Sequence, residues 1–430
     1  MLMTYKDLYV VSFKKLFEHL RRVQQSHYIA YITNTQCRQK LVLFIIFLMT
    51  MSQLAITIYL PSMPALVKSF HTGHAAIQLS LTVFLIAYGF SQFIYGPLSD
   101  IYGRRVIILI GLMIFLIGTL GCIFANNTTI FLISRIIQGL GIGCGDTMGR
   151  AILCDRFDNK AFIKAAATIG MAATITPFVG PLVGGYLEVY FNWHFSFIIM
   201  LLYALIILIS IFYYFPESKP LDQFVEVDFK NIIHSYQFIF RNRVFLGFFV
   251  PGLVCFVGEM LYNIVSPFLI VQQLHLSAIT FGWLTLFTIV GLFIGTLITR
   301  FTSHYFKHDA MVFYGMCILI IAGFVMIVPS LFHYLSIYTI VLPMMLFMVG
   351  VGIIYPNTNM GALTPFTANA GVAGALQGGL QMLIGGVITS HMSTLSVKSA
   401  LPLGCFLFLI SLVGMMIFYC FIIKNKVQTD

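Results

Sequence analysis

The sequence predicts an all-α membrane protein: twelve transmembrane helices in two six-helix halves. Three observations carry that expectation. Only 9% of the 430 residues are charged and 59% are hydrophobic, against about 25% charge in a soluble domain. So little polar surface cannot cover the chain in water, and a bilayer is the solvent that fits. Apolar runs of roughly twenty residues, enough to cross a bilayer as a helix, recur twelve times. One polar stretch, 216–243, divides them six and six.

In chain order the runs are 41–61, 77–97, 105–125, 129–150, 162–187, 194–215, 244–270, 279–299, 309–330, 334–356, 371–392 and 400–423. Backbone polar groups in hydrocarbon must be satisfied within their own segment, so each run reads as a helix. The runs are too long and too uniformly apolar for the alternating strands of a membrane barrel. Residues 1–40 form an extension. Tyr9, Phe13, Leu16, Phe17 and Leu20 recur at helical spacing, with Lys14, Lys15, Arg21 and Arg22 between them. That pattern suits an interfacial helix on anionic lipid, and equally a loosely ordered extension or an upstream start. It has no short apolar core with a cleavage site, so it is not a signal peptide. Residues 41–215 make the first half. Pro216 ends its sixth run, and Glu217, Lys219, Asp222, Glu226, Asp228 and Lys230 make 216–243 a polar linker. Residues 244–423 make the second half, and 424–430 a short tail. The even division suggests a duplication. Gly295 and Arg300 fall near the places that Gly96 and Asp100 hold in the first half, by descent or by coincidence.

The charge pattern orients the bundle. With both termini on one side, every Lys and Arg falls on that side except Lys68, Lys398 and the embedded Arg135. Such a bias marks the cytoplasmic face, so the net charge of +10 reports orientation. The charges are scattered over many loops, which argues against a nucleic-acid partner. The eight cysteines form no C-x-x-C pair, so no metal site is expected. No G-x-x-x-x-G-K-[ST] loop is present, so ATP-driven pumping by this chain alone is not expected. No clustered His/Asp or Ser/His/Asp set suggests an enzyme, and no cofactor is expected.

Five places concentrate polar or conformationally special residues. The junction of runs two and three, from the end of one to the start of the next, holds Gly96, Asp100, Gly103, Arg104 and Arg105. Run four holds Arg135, Gln138 and a glycine series, then Asp146, which either faces a cavity or pairs with Arg150 at i+4. Run five holds Gly170, Pro177, Gly180, Pro181, Gly184 and Gly185; its prolines remove backbone bonds and its glycines remove bulk, so it should bend and pack closely. Glu259 sits alone in the middle of run seven, where a carboxylate in hydrocarbon is expected to exchange a proton once wetted. Run one holds Gln53, Thr57 and Tyr59, followed by Pro61 and Pro64.

These motifs resemble those of a known family. G-x-x-x-D-x-x-G-R-R at Gly96–Arg105 resembles the loop signature of the major facilitator superfamily of secondary transporters. R-x-x-Q-G-x-G-x-G from Arg135 resembles its fourth-helix motif, whose arginine is tied to proton coupling in relatives. G-x-x-x-x-x-x-P-x-x-G-P-x-x-G-G from Gly170 resembles the fifth-helix motif of the antiporter branch. Thr57-Ile58-Tyr59-Leu60-Pro61-Ser62-Met63-Pro64 resembles the first-helix signature of the Bcr/CflA drug-resistance branch, with further likeness at Asn192-Trp193-His194, at Tyr355-Pro356-Asn357 and over 371–381. Many members of that branch carry an acid near Thr57. This chain does not, which turns attention to Glu259 and Asp146.

The resemblance implies a monomeric, proton-coupled multidrug efflux antiporter of a bacterial inner membrane, both termini cytoplasmic. It would export lipophilic small molecules by alternating access. A proton-coupled exporter or importer of a specific metabolite or siderophore stays open, as does a non-transporting sensor or scaffold. Proton coupling would fall to Glu259, Asp146 and Arg135. A cavity between the halves would be lined by Gln53, Thr57, Tyr59, Tyr88, Gln138, Met171, Tyr262 and Gln381, since aromatic, thioether and amide groups hold greasy ligands without fixed geometry. Asp100 would gate by accepting from the start of run eleven, near 369–371, with Arg104 or Arg150 neutralising it.

Overall fold

A computed structural model describes residues 35–157, 159–215, 217, 229–392 and 399–424. Among them twelve helices are long and apolar enough to span a bilayer: Gln39–Ser69, His74–Tyr102, Arg104–Ile123, Thr128–Arg156, Lys164–Tyr190, Trp193–Tyr213, Arg243–Gln273, Ala278–Thr302, His308–Leu331, Ile337–Phe366, Val372–His391 and Leu401–Ile423, here spans one to twelve. The extension lies outside the described residues except for its last few, which begin the helix of span one at Thr35. Residues 216 and 218–228 of the linker and all but the first residue of the tail also lie outside them.

Local chemistry sets the breaks. Span one is a helix to Thr57, a turn over Leu60–Ser62 and a helix over Met63–Ser69. Pro61 has no N–H to continue the ladder, so Ser62 N–H turns to Tyr59 O at 3.0 Å. Asn127, Asn242 and Ser277 cap spans four, seven and eight, their side-chain oxygens accepting from Ile130 N (2.9 Å), Val244 N (2.9 Å) and Thr280 N (3.0 Å). Gly103 has φ +94° and ends span two, a backbone state that favours glycine.

Close glycine contacts align the halves. Gly141 of span four lies against Gly111 and Phe115 of span three, as Gly350 of span ten lies against Gly315 and Leu319 of span nine. Gly143 meets Ser91 and Gln92 as Gly352 meets Gly295 and Thr296. The equivalences correct the sequence register by one helical turn. Gly295 stands where Ser91 stands, Arg300 where Gly96 stands, and His304 and His308 where Asp100 and Arg104 stand.

The halves meet along two seams, spans two with eleven and five with eight. A Cβ on Gly89 would fall 2.7 Å from Leu383 N, and one on Gly379 would fall 2.7 Å from the Phe93 ring. Gly185 abuts the Ala278 carbonyl, and a Cβ on Gly282 would fall 2.7 Å from both Leu182 Cα and Pro181 O. Opposite the face carrying the 96–105 loop (the basic face), His74 Nε2 donates to Gln272 Oε1 at 2.7 Å and Gln78 Nε2 to Ile264 O at 3.2 Å. The face of span five that packs on span eight continues toward the basic side through Thr174, Gly170 and Ala167. There it is exposed, with nothing within 4 Å of where a Gly170 Cβ would sit. The bundle is therefore shut opposite the basic face; toward it span five is exposed along the seam with span eight, while spans two and eleven stay in contact at Gln92, Phe93, Gly378 and Gly379.

The polar linker contains a helix that its composition did not suggest, Phe229–Phe240. Tyr236 packs edge-on to Phe93 at 5.7 Å and Phe238 to Phe366 at 6.2 Å, so the helix touches both halves.

Candidate functional site

Glu259 lies near the midpoint of span seven and is half-buried. Among the described residues no ion pair or hydrogen bond to its carboxylate is present. Cys255 lies one turn away on the same helix. Two turns toward the basic face, Gln381 of span eleven is half-buried beside Gly252, with Nε2 unpartnered.

Arg135 is fully buried inside the first half. Its guanidinium is 4.4 Å from the centroid of the Tyr59 ring and 4.1 Å from that of Phe84. It donates to Gln138 Oε1 and to Ala55 O at 3.3 Å, and Gln138 Nε2 donates to Thr119 Oγ1 at 2.9 Å. Among the described residues no carboxylate pairs with it. Ring faces and carbonyl dipoles carry the charge instead.

Asp146 departs from its sequence expectation. No ion pair joins its carboxylate to Arg150. Oδ1 accepts from Ser52 Oγ at 2.9 Å and Oδ2 from the Tyr88 hydroxyl, which ties spans one, two and four together. Arg150 instead reaches the second half, as its Nη1 donates to Gly374 O of span eleven at 3.1 Å.

At the basic face Asp100 binds Arg104 at 2.9 Å, and Arg104 Nε binds Asp155 at 3.1 Å. Arg104 also donates to Ser99 Oγ, and Arg105 to Phe212 O at 2.6 Å. The start of span three is capped by a residue the sequence pattern did not single out for this task. Glu217 Oε1 accepts from Arg104 N at 2.8 Å and Oε2 from Arg105 N at 3.1 Å, its carboxylate filling the space that the Gly103 side chain would take. A carboxylate on a helix amino terminus satisfies free N–H groups and meets the helix dipole. Glu217→Ala is expected to cost about 1 kcal/mol, read as a fall of a few degrees in the unfolding midpoint of the purified protein. An unchanged midpoint would show that the cap is idle. The linker Tyr236 hydroxyl has its pKa raised by burial and then by the nearby Asp100 charge.

In span five, Gly180 meets Thr57 Oγ1 and Gly184 meets Ile58 O of span one, while Gly185 and Pro181 face span eight. Pro177 is half-buried. Gly170 takes no part in these contacts.

Several expected cavity residues are placed elsewhere. Thr57, Tyr59, Tyr88, Gln138 and Tyr262 are at most 1% exposed, and a side chain with no free surface lines no cavity. Thr57 is packed on span five, Tyr59 and Gln138 hold Arg135, and Tyr88 holds Asp146. Met171 is 61% exposed and lies on the same stretch of span five as the exposed Ala167, Gly170 and Thr174. Gln53 and Gln381 keep partial exposure. Sequence reasoning passed over Glu188 of span five, whose Oε2 is buried without a partner, and Gln92 of span two, 1% exposed with both amide atoms unpartnered. Two carboxamide or carboxylate residues near polar loops carried no distinguishing spacing.

Residues 45–390 match the Major Facilitator Superfamily. The chain is 29% identical over 382 residues to Multidrug resistance protein D of Escherichia coli, spanning 89% of this chain and 95% of that one. It is 23% identical over 349 residues to a bicyclomycin resistance protein homolog of Haemophilus influenzae, spanning 81% and 87%. Among solved structures it superposes on the D-xylose-proton symporter with a TM-score of 0.72 at 16% identity, covering 88% and 97% of the two chains. The likeness to the symporter concerns the fold alone. Twelve spans in two halves, the loop joining spans two and three and these matches lead to one conclusion: the chain belongs to the major facilitator superfamily of membrane transporters, and its similarity falls to the drug-resistance branch.

Proposed function

We propose that the chain is a proton-coupled antiporter that exports lipophilic compounds by alternating access. It sits as a monomer in a bacterial inner membrane with both termini and the basic face in the cytoplasm. The observation that carries the coupling is Glu259, a half-buried carboxylate in the middle of a membrane helix with no partner among the described residues. Such a group is costly unless it has work to do. Neutral, it tolerates the apolar interior; ionised, it attracts a proton or a polar ligand group. In the conformation described span five is exposed along its seam with span eight toward the basic face, so a substrate would enter there from the cytoplasm and displace the proton. Closing that side and opening the other would let the carboxyl reprotonate outside and release the substrate. The relatives named for multidrug and bicyclomycin resistance support the export direction, and the lysine and arginine bias supports the orientation.

Purified protein in liposomes, loaded with a panel of lipophilic dyes under an imposed pH gradient, tests this reading. Dye should move uphill against inward proton flow and stop when the gradient is collapsed. Uphill movement that continues without any ion gradient would overturn it.

A further inference from the structure

We propose that the loop joining spans eight and nine holds the headgroup of an anionic phospholipid. The site stands apart from the exporter reading and requires only that the bundle sits in a membrane. Ser303–Asp309 line an open hollow at the basic face. Arg300, in the last turn of span eight, and His304 and Lys307 of the loop are exposed there. Phe301, Tyr305, Phe306 and Tyr314 are exposed around the same place, and the Phe306 and Tyr314 rings meet edge to face at 6.0 Å. Exposed rings of this kind settle at the level of lipid headgroups. Basic pockets between helices at a membrane surface bind anionic headgroups.

Basic and aromatic residues are ordinary at such an end. What sets this loop apart is its counterpart in the first half, where the charge is met from within the chain. Arg104 pairs with Asp100 and Asp155, and the Glu217 carboxylate sits on the N–H groups that open span three. In the register of the glycine contacts, Arg300, His304, Lys307 and His308 stand where Gly96, Asp100, Gly103 and Arg104 stand. Two cations thus replace two glycines, and no acid stands at the place of Asp100. Arg300 and Lys307 make no ion pair among the described residues. Lys307, which precedes span nine, offers its first turn no capping side chain. His308 is held by Asn357 Oδ1 at 2.7 Å, and Asp309, the acid of this stretch, is already engaged. The first half continues past span six to Glu217. The second continues past span twelve to Lys424, just beyond Tyr419–Ile423, which packs on span nine.

A phosphodiester is the anion that this set fits. A guanidinium presents two parallel donors to phosphate oxygens, and an ammonium adds a compact point charge. The opening N–H groups of span nine would meet the phosphate as those of span three meet Glu217. The lipid-facing side of span eight offers the acyl chains a path, since Phe293, Leu297 and Phe301 recur every fourth residue and are all exposed. Free phosphate has no apolar part to lay along it, so the occupant is the membrane lipid.

The full chain in detergent micelles, titrated with phosphatidylglycerol or phosphatidylcholine of the same acyl chains, tests this by native mass spectrometry of the lipid retained. A lysine or arginine beside anionic lipid contributes about fivefold in affinity. Phosphatidylglycerol should be retained at least about tenfold more strongly than phosphatidylcholine, and the double variant Arg300→Gln, Lys307→Gln should lose that preference. Lys164→Gln with Arg241→Gln removes the same charge from exposed positions elsewhere on the basic face and should keep it. A photoactivatable phosphatidylglycerol should cross-link within 300–314 of the wild-type chain, a readout that needs no variant. Equal retention of the two lipids overturns the proposal, as does cross-linking only elsewhere. An equal loss in the control pair would reveal a diffuse positive field and overturns it too. Displacement of the lipid by the same concentration of inorganic phosphate would show that the hollow reads phosphate alone, which overturns the lipid as its occupant. None of these readouts involves transport, so pH-driven dye export succeeds or fails separately.

Discussion

Glu259→Gln should abolish uphill, pH-driven transport while leaving downhill exchange and the folded state intact. The amide is close to the carboxyl in size and the position is half-buried, so the packing of span seven should survive. What is lost is the ability to carry a proton. Among the described residues no cation pairs with Glu259, so its removal leaves no buried charge stranded, the usual reason why deleting one member of a buried pair destabilises. Each tenfold proton gradient is worth about 1.4 kcal/mol. A transporter that no longer uses it should accumulate substrate at least about tenfold less, down to the level of the gradient-free control. Exchange of labelled for unlabelled substrate, which needs no net driving force, should persist. Dye transport with and without the gradient, together with counterflow, reads both properties. Wild-type pH dependence in the variant would pass the coupling role to Asp146.

The second large effect belongs to Gly184→Leu. A Cβ at this position would overlap the carbonyl oxygen of Ile58 and lie 3.4 Å from Pro61 Cδ. That carbonyl is backbone and cannot rotate aside. It points outward because Pro61 supplies no N–H and the next donor, Ser62 N, goes to Tyr59 O. Spans one and five would have to separate, and Gly180 on Thr57 and Gly185 on Ala278 would be pulled apart with them. Overfilling a packed site typically costs ~1–3 kcal/mol, and the same distortion would jam the seam. Thermal midpoint and transport rate should both fall. The adjacent Val183 is 36% exposed, so Val183→Leu serves as the control that leaves both unchanged. Normal transport by Gly184→Leu would mean that spans one and five move apart freely at this point.

The spans were legible because hydrocarbon thickness imposes a length and polarity that any sequence must meet. The break after Thr57 was legible because proline removes a donor. The contacts of span five were legible in kind, since glycines and prolines in a membrane helix have few uses other than bending and close approach. The partners were not. Which of Asp100, Arg104 and Arg150 crosses to the other half depends on helix rotation, which composition does not encode; Asp100 stays with Arg104, and Arg150 crosses. Tyr59, Tyr88 and Gln138 look like ligand-binding side chains because they are polar or aromatic at mid-membrane. Buried polar groups first satisfy one another, and here they hold Arg135 and Asp146. The register of the second half was off by a turn because a repeat whose charges have been replaced is visible only in how its glycines pack. The linker helix was missed because charged residues upstream of it masked an apolar face containing Tyr236 and the buried Ile239.

The contact of spans five and eight joins backbone to backbone, Gly185 on Ala278 and Gly282 on Leu182 and Pro181. A bearing made this way has no teeth. Interlocked side chains would have to jump between rotamer wells each time one half rolled over the other, and each jump would add ordering entropy and a barrier. Smooth surfaces slide. The rocking of the halves is then resisted little at the pivot, and its timing is left to the polar latches away from it, His74 with Gln272 at one end and Arg150 with Gly374 toward the other.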